Sequence, residues 1–141
     1  LAKLYYFHPL MGGRTSIKVV LPAVLQETKN DRSKVLLQQE NLYQSKEDGK
    51  LIDPYKLLEE RIVEDTKSLT IKVRNGGDAM VAYREMLYGL SRNNSEAKTA
   101  YADALKKYCK LDTLAMVIIW FHWKDLQNRT VDRNTLLNKY L

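Results

Sequence analysis

Apolar residues recur along most of the chain at the spacing of an α-helix. The first run of this kind contains Ile17, Val20, Leu21, Val24 and Leu25. This i, i+3, i+4, i+7 pattern predicts a helix whose cap is Thr15 or Ser16. Pro22 lies inside the pattern and predicts a kink or a restart, because proline removes a backbone donor from a helix.

A more polar stretch separates this helix from the next strong signal. Residues 26–50 are rich in Gln, Lys, Asn, Asp and Ser, which predicts a surface connection with at most a short helix at about 35–43. Asp53 followed by Pro54 is typical of a helix start and predicts a helix through YKLLEERIVED, residues 55–65. The segment LTIKV at 69–73 alternates like a short strand.

The second half of the chain predicts further helices. Asn75 and Asp78 flank two glycines and predict the start of a helix. The apolar stripe of that helix is predicted to contain Met80, Tyr83, Leu87 and Leu90. Asn93 with Glu96 resembles a capping box, and the helix behind it continues or bends near Cys109 and reaches about residue 126. With a last short helix at about 134–140, the predicted fold class is mainly α, with little or no sheet, in a single domain over 1–141.

Composition narrows the function classes only slightly. The chain has 141 residues, enough for one domain with its own core, and 23 Lys and Arg against 17 Asp and Glu. The net charge of +6 mildly favours phosphate-bearing partners. The apolar run at 114–123 is shorter than the roughly 18 residues that a membrane-spanning helix needs, so we expect no membrane partner. Cys109 is the only cysteine and lies in an apolar helix, so we expect a buried structural thiol and a cytoplasmic protein.

Tyr108 and Asp112 are the strongest candidates for chemistry. They are i and i+4 on a predicted helix, so the phenol and the carboxylate share one face. The spacing alone leaves two interpretations open, a core tyrosine beside an aspartate at the solvent edge, or a functional pair. His8 and His122 are the only histidines and stand far apart in the sequence, so no zinc-type ligand cluster is predicted.

The longer segment YCKLDTLAMV, residues 108–117, resembles the third sequence motif of the tyrosine-type DEDD exonucleases. Two more segments, HPLMGGRTSIKVVLPAVL at 8–25 and IKVRNGGDAM at 71–80, resemble an uncharacterised bacterial family, domain of unknown function 2779, which carries such an exonuclease-like domain. The resemblance implies a ribonuclease-H-like α/β fold, of which this chain would be the helical C-terminal segment.

The resemblance also implies roles for particular residues. Asp112 would be a metal-binding carboxylate, and Tyr108 would orient the water that attacks the terminal phosphodiester of a nucleic acid. The full-length protein would then use Mg or Mn. Arg14 and Lys18, beside a helix start, are candidate phosphate contacts, with ordinary surface or capping roles as the alternative.

Two expectations limit what this chain does by itself. The Asp-x-Glu motif and the second acidic motif of the exonucleases are absent from the sequence. A two-metal mechanism needs several carboxylates around ions about 4 Å apart, so we expect neither bound metal nor nuclease activity from this chain alone. The alternative function is a non-enzymatic helical protein-interaction module. If a sheet is missing, the helix face that would cover it predicts self-association through Trp120 and Trp123.

Overall fold

A long C-terminal helix is the central element of the fold. The computed structural model describes residues 6–28, 31–59, 61–63 and 69–138. Its α-helices are α1 (Ile17–Glu27), α2 (Asp31–Gln39), α3 (Gly76–Tyr88) and α4 (Ser95–Asn138). Short 3-10 helices span Pro9–Met11, Pro54–Leu57 and Leu90–Asn93. Strands β1 (Arg61–Val63) and β2 (Leu69–Ile71) pair antiparallel, with Ile62 opposite Thr70. The predicted mainly α class is confirmed.

Helix α1 lies along α4 in the same chain direction. Near its start Lys18 contacts Tyr108, and at its end Glu27 contacts His122, so both helices advance together. The apolar side chains between these contacts are buried: Val20, Leu21, Val24, Leu111, Ala115 and Ile118. Each fully buried Leu or Ile side chain stabilises the fold by about 1.5–3 kcal/mol. This shared core fixes the relative positions of the polar side chains at its two ends.

The helix predicted around residues 17–25 is confirmed, with two differences in detail. Ser16 is the N-cap residue, but its side chain makes no capping hydrogen bond. The helix runs unbroken through Pro22, so the predicted restart does not occur. Because proline has no N–H, the carbonyl of Lys18 loses its usual i+4 donor. Burial of the residues around Pro22 stabilises the helix despite this loss.

The helix predicted over 55–65 is wrong. The chain makes only the 3-10 helix Pro54–Leu57 and then extends into β1. The Asp53 side chain accepts a hydrogen bond from the backbone N–H of Tyr55, which caps the short turn. The β-branched pair Ile62 and Val63 favours the strand that follows. Of the acidic residues in this predicted helix, Glu60, Glu64 and Asp65 lie outside the described residues.

The connection at 26–50 contains the predicted short helix, but at an earlier position in the chain. Helix α2 begins at Asp31 and ends at Gln39, whereas the pattern predicted a short helix at about 35–43. The strand predicted at 69–73 is confirmed over Leu69–Ile71.

Helix α3 begins where predicted, but it buries a different face. Asn75 caps it by accepting a hydrogen bond from the backbone N–H of Asp78. Met80, Tyr83 and Leu87 of the predicted apolar stripe are exposed, and the side chain of Leu90 lies outside the described residues. The buried face instead carries Ala79, Ala82 and Met86. Helix α4 is also lined with alanines where it is buried, at Ala97 and Ala100, and small side chains on both helices permit close packing.

Helix α4 is a single element rather than the predicted two. It begins behind Asn94, whose side chain accepts from the backbone N–H of Ala97, in place of the box predicted from Asn93 and Glu96. It continues without a break past Cys109 to Asn138, so the separate short helix at 134–140 is wrong. Within the part of the chain that the structure describes, no helix has both the length and the apolar character needed to cross a membrane.

Candidate functional site

Three of the four residues predicted to act on substrate converge near the start of α1. Lys18 lies with its ammonium 4.6 Å from the centre of the Tyr108 ring, and Asp112 follows Tyr108 one turn later on α4. A fourth side chain, Tyr55 from the 3-10 helix at 54–57, completes the group. We call Lys18, Tyr55, Tyr108 and Asp112 the lysine–tyrosine cluster.

Tyr55 connects the members of the cluster to one another. Its hydroxyl donates a 2.5 Å hydrogen bond to Oδ1 of Asp112. Its ring centre lies 6.3 Å from that of Tyr108, at an interplanar angle of 54°. Lys18 Nζ is 5.0 Å from the Tyr55 ring centre, so the ammonium lies over both rings. Both distances fall within the range of cation–π attraction.

Burial explains why Tyr55 acts as a donor. Only 3% of Tyr55 is exposed, whereas Asp112 is half-buried. Burial raises the pKa of Tyr55 far above its ordinary value, and the hydrogen bond to Asp112 raises it further. The phenol therefore stays neutral and holds the carboxylate in a fixed orientation. Hydrogen bonds to an ionised carboxylate are about twice as strong as neutral ones.

Lys18 is also held by the segment that precedes α3. Its Nζ donates to the backbone carbonyl of Arg74, 3.2 Å away. Arg74 is fixed in turn by its guanidinium, which donates to the Leu58 carbonyl, and by its N–H, which donates to Asp78. A lysine in the first turn of a helix opposes the helix dipole. The carbonyl and the two rings offset that cost and keep the ammonium in place.

The hydroxyl of Tyr108 is the open position of the cluster. Tyr108 is 7% exposed, so its ring is buried. No described residue donates a hydrogen bond to the Tyr108 hydroxyl or accepts one from it, so this group keeps its hydrogen-bonding capacity. It is available to a water molecule or to a ligand.

The charges of the cluster do not neutralise each other directly. Within the described residues, Lys18 contacts a carbonyl and two rings rather than a carboxylate. Asp112 accepts its hydrogen bond from a phenol rather than from a cation. A cation, a hydroxyl without a described hydrogen-bond partner and a carboxylate therefore lie close together. This arrangement suits a phosphate ester held by the ammonium and a water held by the hydroxyl.

The residues of this chain do not fit a metal pair on their own. Among the described residues, no group of three or more His, Cys, Asp or Glu side chains is placed to hold a metal ion. Asp112 is the one carboxylate in the cluster, and one of its oxygens already accepts from Tyr55. Mg²⁺ needs about six oxygen ligands. We therefore derive no catalytic step through a metal.

Other residues singled out in the sequence lie apart from the cluster. Arg14 is exposed, and no described contact joins it to Lys18 or Tyr108. Cys109 is exposed, so the expectation of a buried thiol is wrong. Cys109 is next to Tyr108 on α4, but one residue turns the helix by about 100°, which takes it off the buried face. The sequence does not predict a role for Tyr55, because the Asp-Pro pattern predicts a regular helix over 55–65. The available signal is an aromatic residue directly after Asp53-Pro54.

A cleft of about 260 Å³ lies beside the same 3-10 helix but carries different chemistry. Its walls include the apolar side chains Leu42, Leu57, Leu58, Leu111 and Leu114. At its rim Lys107 pairs with Glu59 at 2.6 Å, and Lys110 pairs with Glu40 at 2.7 Å. Because each rim lysine is paired with a carboxylate, this cleft is a weaker candidate for phosphate than the lysine–tyrosine cluster.

Comparison with known proteins adds no relative to this picture. No family model, no curated protein and no solved structure matches the chain. The candidate site therefore depends on the geometry of the cluster and on the sequence motif around Tyr108.

Proposed function

We propose that this chain supplies the phosphate-binding and water-positioning part of a metal-dependent 3′-5′ exonuclease-like site that acts on nucleic acid ends. The chain would be the helical C-terminal segment of a ribonuclease-H-like domain. The observation that carries the proposal is the position of Tyr108, whose ring centre lies 4.6 Å from the Lys18 ammonium and which stands one helical turn before Asp112. The sequence predicts roles for Tyr108, Asp112 and Lys18, and the contact between Lys18 and Tyr108 supports their acting together.

Each side chain of the cluster has a distinct role in this proposal. Lys18 attracts a phosphate oxygen, and the positive end of the α1 dipole adds to that attraction. Tyr108 holds a water molecule through its hydroxyl. Tyr55 is a positioning residue, because it fixes Asp112 rather than touching substrate. Asp112 is the carboxylate that this segment contributes, and the remaining acidic groups would come from other parts of a larger protein.

Binding of a single-stranded oligonucleotide tests the phosphate contact without requiring catalysis. Fluorescence anisotropy over a range of salt concentrations gives both the affinity and its salt dependence. In Lys18→Gln we expect weaker binding and a salt slope lower by about 1, because one phosphate contact is lost. Lys98→Gln removes the same charge from an exposed position at the start of α4 and serves as the matched control. Equal losses in both variants would reduce the effect to net charge and remove Lys18 from the site.

Catalysis is tested in a protein that contains the remaining carboxylates. There we expect Asp112→Asn to abolish Mn-dependent release of terminal nucleotides, while the amide oxygen still accepts from Tyr55. Tyr108→Phe is expected to lower turnover by roughly 10²–10⁴-fold, the contribution of a positioned acid–base group. Unchanged turnover in Asp112→Asn would remove this carboxylate from the mechanism.

A helical protein-interaction module is the second candidate, and exposed apolar side chains favour it. On α3, Met80 and Tyr88 are 75% and 76% exposed. On α4, Met116 and Trp120 are 56% and 53% exposed. Of the two tryptophans predicted to drive self-association, Trp123 instead packs against Tyr6, so Trp120 is the better candidate. Under this function the chain associates through Trp120, and Trp120→Lys shifts the light-scattering mass toward the monomer. A monomer at high concentration before substitution would contradict it.

A further inference from the structure

The two histidines of the chain meet at one carboxylate, at the opposite end of α1 from Lys18. Nε2 of His8 lies 3.2 Å from Oε1 of Glu27, and Nε2 of His122 lies 3.6 Å from Oε2. The Tyr6 hydroxyl donates to the same Oε2 at 3.2 Å and lies 3.3 Å from His122 Nε2. We call Tyr6, His8, Glu27 and His122 the histidine cluster. It joins the segment before α1, the end of α1 and the middle of α4.

Hydrogen-bond chemistry assigns the protons in this cluster. The backbone N–H of Leu10 donates to Nδ1 of His8 at 3.1 Å, so that nitrogen carries no proton. The proton of neutral His8 is therefore on Nε2, which lies 3.2 Å from Oε1 of Glu27. Burial, assisted by Glu27, raises the pKa of Tyr6 to about 12. The neutral phenol donates to Glu27, which leaves its oxygen to accept the Nε2 proton of His122.

The same assignment argues against a metal centre. A histidine that binds a metal through Nε2 normally donates from Nδ1 to an acceptor. In this cluster Nδ1 of His8 faces the N–H of Leu10, a donor. Binding a metal through Nε2 would place two donors against each other and break the cap of the 3-10 helix Pro9–Met11. The geometry suits proton binding instead.

We propose that the histidine cluster is an acid-sensitive latch, which holds residues 6–13 against α4 when both imidazoles are neutral and releases them when the imidazoles are protonated. Protonated His8 carries a proton on Nδ1, which removes the acceptor for Leu10 and uncaps the turn. Gly12 and Gly13, with φ of 52° and 75°, lie between this segment and α1 and provide a flexible joint.

Burial, more than the surrounding charges, decides the direction of the effect at His122. Glu27 from α1 and Asp125 from α4 favour protonated His122, whereas His8 from the N-terminal segment and Arg129 from α4 oppose it. Burial is the largest influence, and it lowers the pKa of His122. The side chain of Glu27 is 46% exposed, so its attraction is screened by water. Two imidazolium groups would also repel each other across this single carboxylate. Acid therefore weakens the latch.

Release would uncover apolar surface at one place. Tyr6 packs on Trp123 at a ring-centre distance of 6.0 Å, and Met11, a residue of the same segment, is buried. When the segment leaves, the Trp123 face of α4 and the site of Met11 become accessible. This device is independent of the proposed exonuclease role, since it uses none of the lysine–tyrosine cluster.

NMR relaxation on the intact chain tests the latch. We measure order parameters for the amides of Leu10, Met11 and Gly12 from about pH 7.5 to about pH 5. They should fall from about 0.8 to below about 0.6 as the segment detaches. The imidazole signals, which belong to His8 and His122 alone, give the titration midpoints in the same samples. A segment that stays ordered down to pH 5 with both imidazoles protonated overturns the proposal.

Two substitutions identify the cause of the release. His8→Asn keeps an oxygen that can cap Leu10 but does not titrate, and His122→Gln keeps a neutral donor. The double variant should stay ordered across the whole pH range. If it detaches in acid as the unmodified chain does, another group controls the segment and the latch is ruled out. If the double variant does not fold, the order parameters and midpoints of the unmodified chain decide alone.

Discussion

The two ends of the α1–α4 contact carry polar clusters with opposite character. At one end, Lys18 and Asp112 are held by tyrosines and a carbonyl rather than by each other. At the other end, both oxygens of Glu27 are occupied by side chains of the protein. The same pair of helices therefore presents an open cluster, the lysine–tyrosine cluster, and a saturated one, the histidine cluster.

This difference distinguishes a candidate ligand site from a structural cluster. A cluster that already satisfies its charges and hydrogen bonds has little to offer a ligand. The lysine–tyrosine cluster keeps a cation and the Tyr108 hydroxyl available, whereas the histidine cluster uses its groups to join three segments of the chain. We therefore assign ligand binding to the first and segment docking to the second.

The largest expected effect is on stability when the open cluster loses its central hydrogen bond. Tyr55→Phe removes the donor to Asp112 and leaves a half-buried carboxylate without it. We expect the free energy of unfolding to fall by about 1.5–3 kcal/mol in urea denaturation. Tyr43→Phe is the matched control, because Tyr43 is half-buried and its hydroxyl has no partner among the described residues. Similar losses in both variants would mean that the Tyr55 hydroxyl contributes no more to the free energy of unfolding than the hydroxyl of Tyr43.

The dependence of stability on alkaline pH provides a second test of the Tyr55 phenol. The pKa of Tyr55 is raised above its ordinary value of 10.0 in the folded state, mainly by burial. A raised folded pKa gives stability that is complete below pH 10.0 and is lost as the pH rises above it. We expect the unmodified chain to lose about 1 kcal/mol per pH unit in this range from Tyr55. Burial also raises the pKa values of Tyr6 and Tyr101, so the difference from Tyr55→Phe isolates the contribution of Tyr55. Parallel pH profiles for the two proteins would contradict it.

A smaller effect is expected at the saturated cluster. Glu27→Gln removes the charge but keeps an oxygen that can accept from His8 or Tyr6. Because Glu27 is 46% exposed, we expect a loss of about 0.5–1 kcal/mol at neutral pH, measured by urea denaturation. Oligonucleotide affinity should not decrease, since the substitution leaves the lysine–tyrosine cluster intact. A decrease in affinity would show that the two clusters are coupled.

The smallest effect is expected on the exposed face of α4. Cys109 adjoins Tyr108 in the sequence but is exposed. Cys109→Ser should change the free energy of unfolding by no more than about 0.5 kcal/mol and leave oligonucleotide affinity unchanged. A larger loss of stability or affinity would mean that this thiol supports the cluster.

Local sequence patterns predicted where helices form better than they predicted which segments and helix faces pack together. The run from Ile17 to Leu25 and the cap at Asn75 depend on neighbours in sequence, and both are confirmed. The buried face of α3 was wrong because hydrophobicity favoured Met80 and Tyr83, whereas close packing against α4 selects alanines such as Ala82. The strand β1 replaced a predicted helix because its pairing partner, β2, lies farther along the chain.

The clusters show the same limit. Tyr108 and Asp112 share a helix face, so their proximity follows from sequence alone. Tyr55 reaches Asp112 across 57 positions, and the sequence does not state which turn brings it there. His8 and His122 are far apart in the sequence, which gives no signal of their proximity, yet the parallel course of α1 and α4 brings both to Glu27.

Mapping where a nucleic acid binds is the most direct test of the proposed role of the lysine–tyrosine cluster. A short single-stranded oligonucleotide is titrated into the isotope-labelled chain, and chemical shifts are followed for both clusters. We expect the largest changes at Lys18 and at the rings of Tyr55 and Tyr108, while the imidazole signals of His8 and His122 stay in place. Shifts centred on the histidine cluster, or none at the lysine–tyrosine cluster under saturating oligonucleotide, would contradict it.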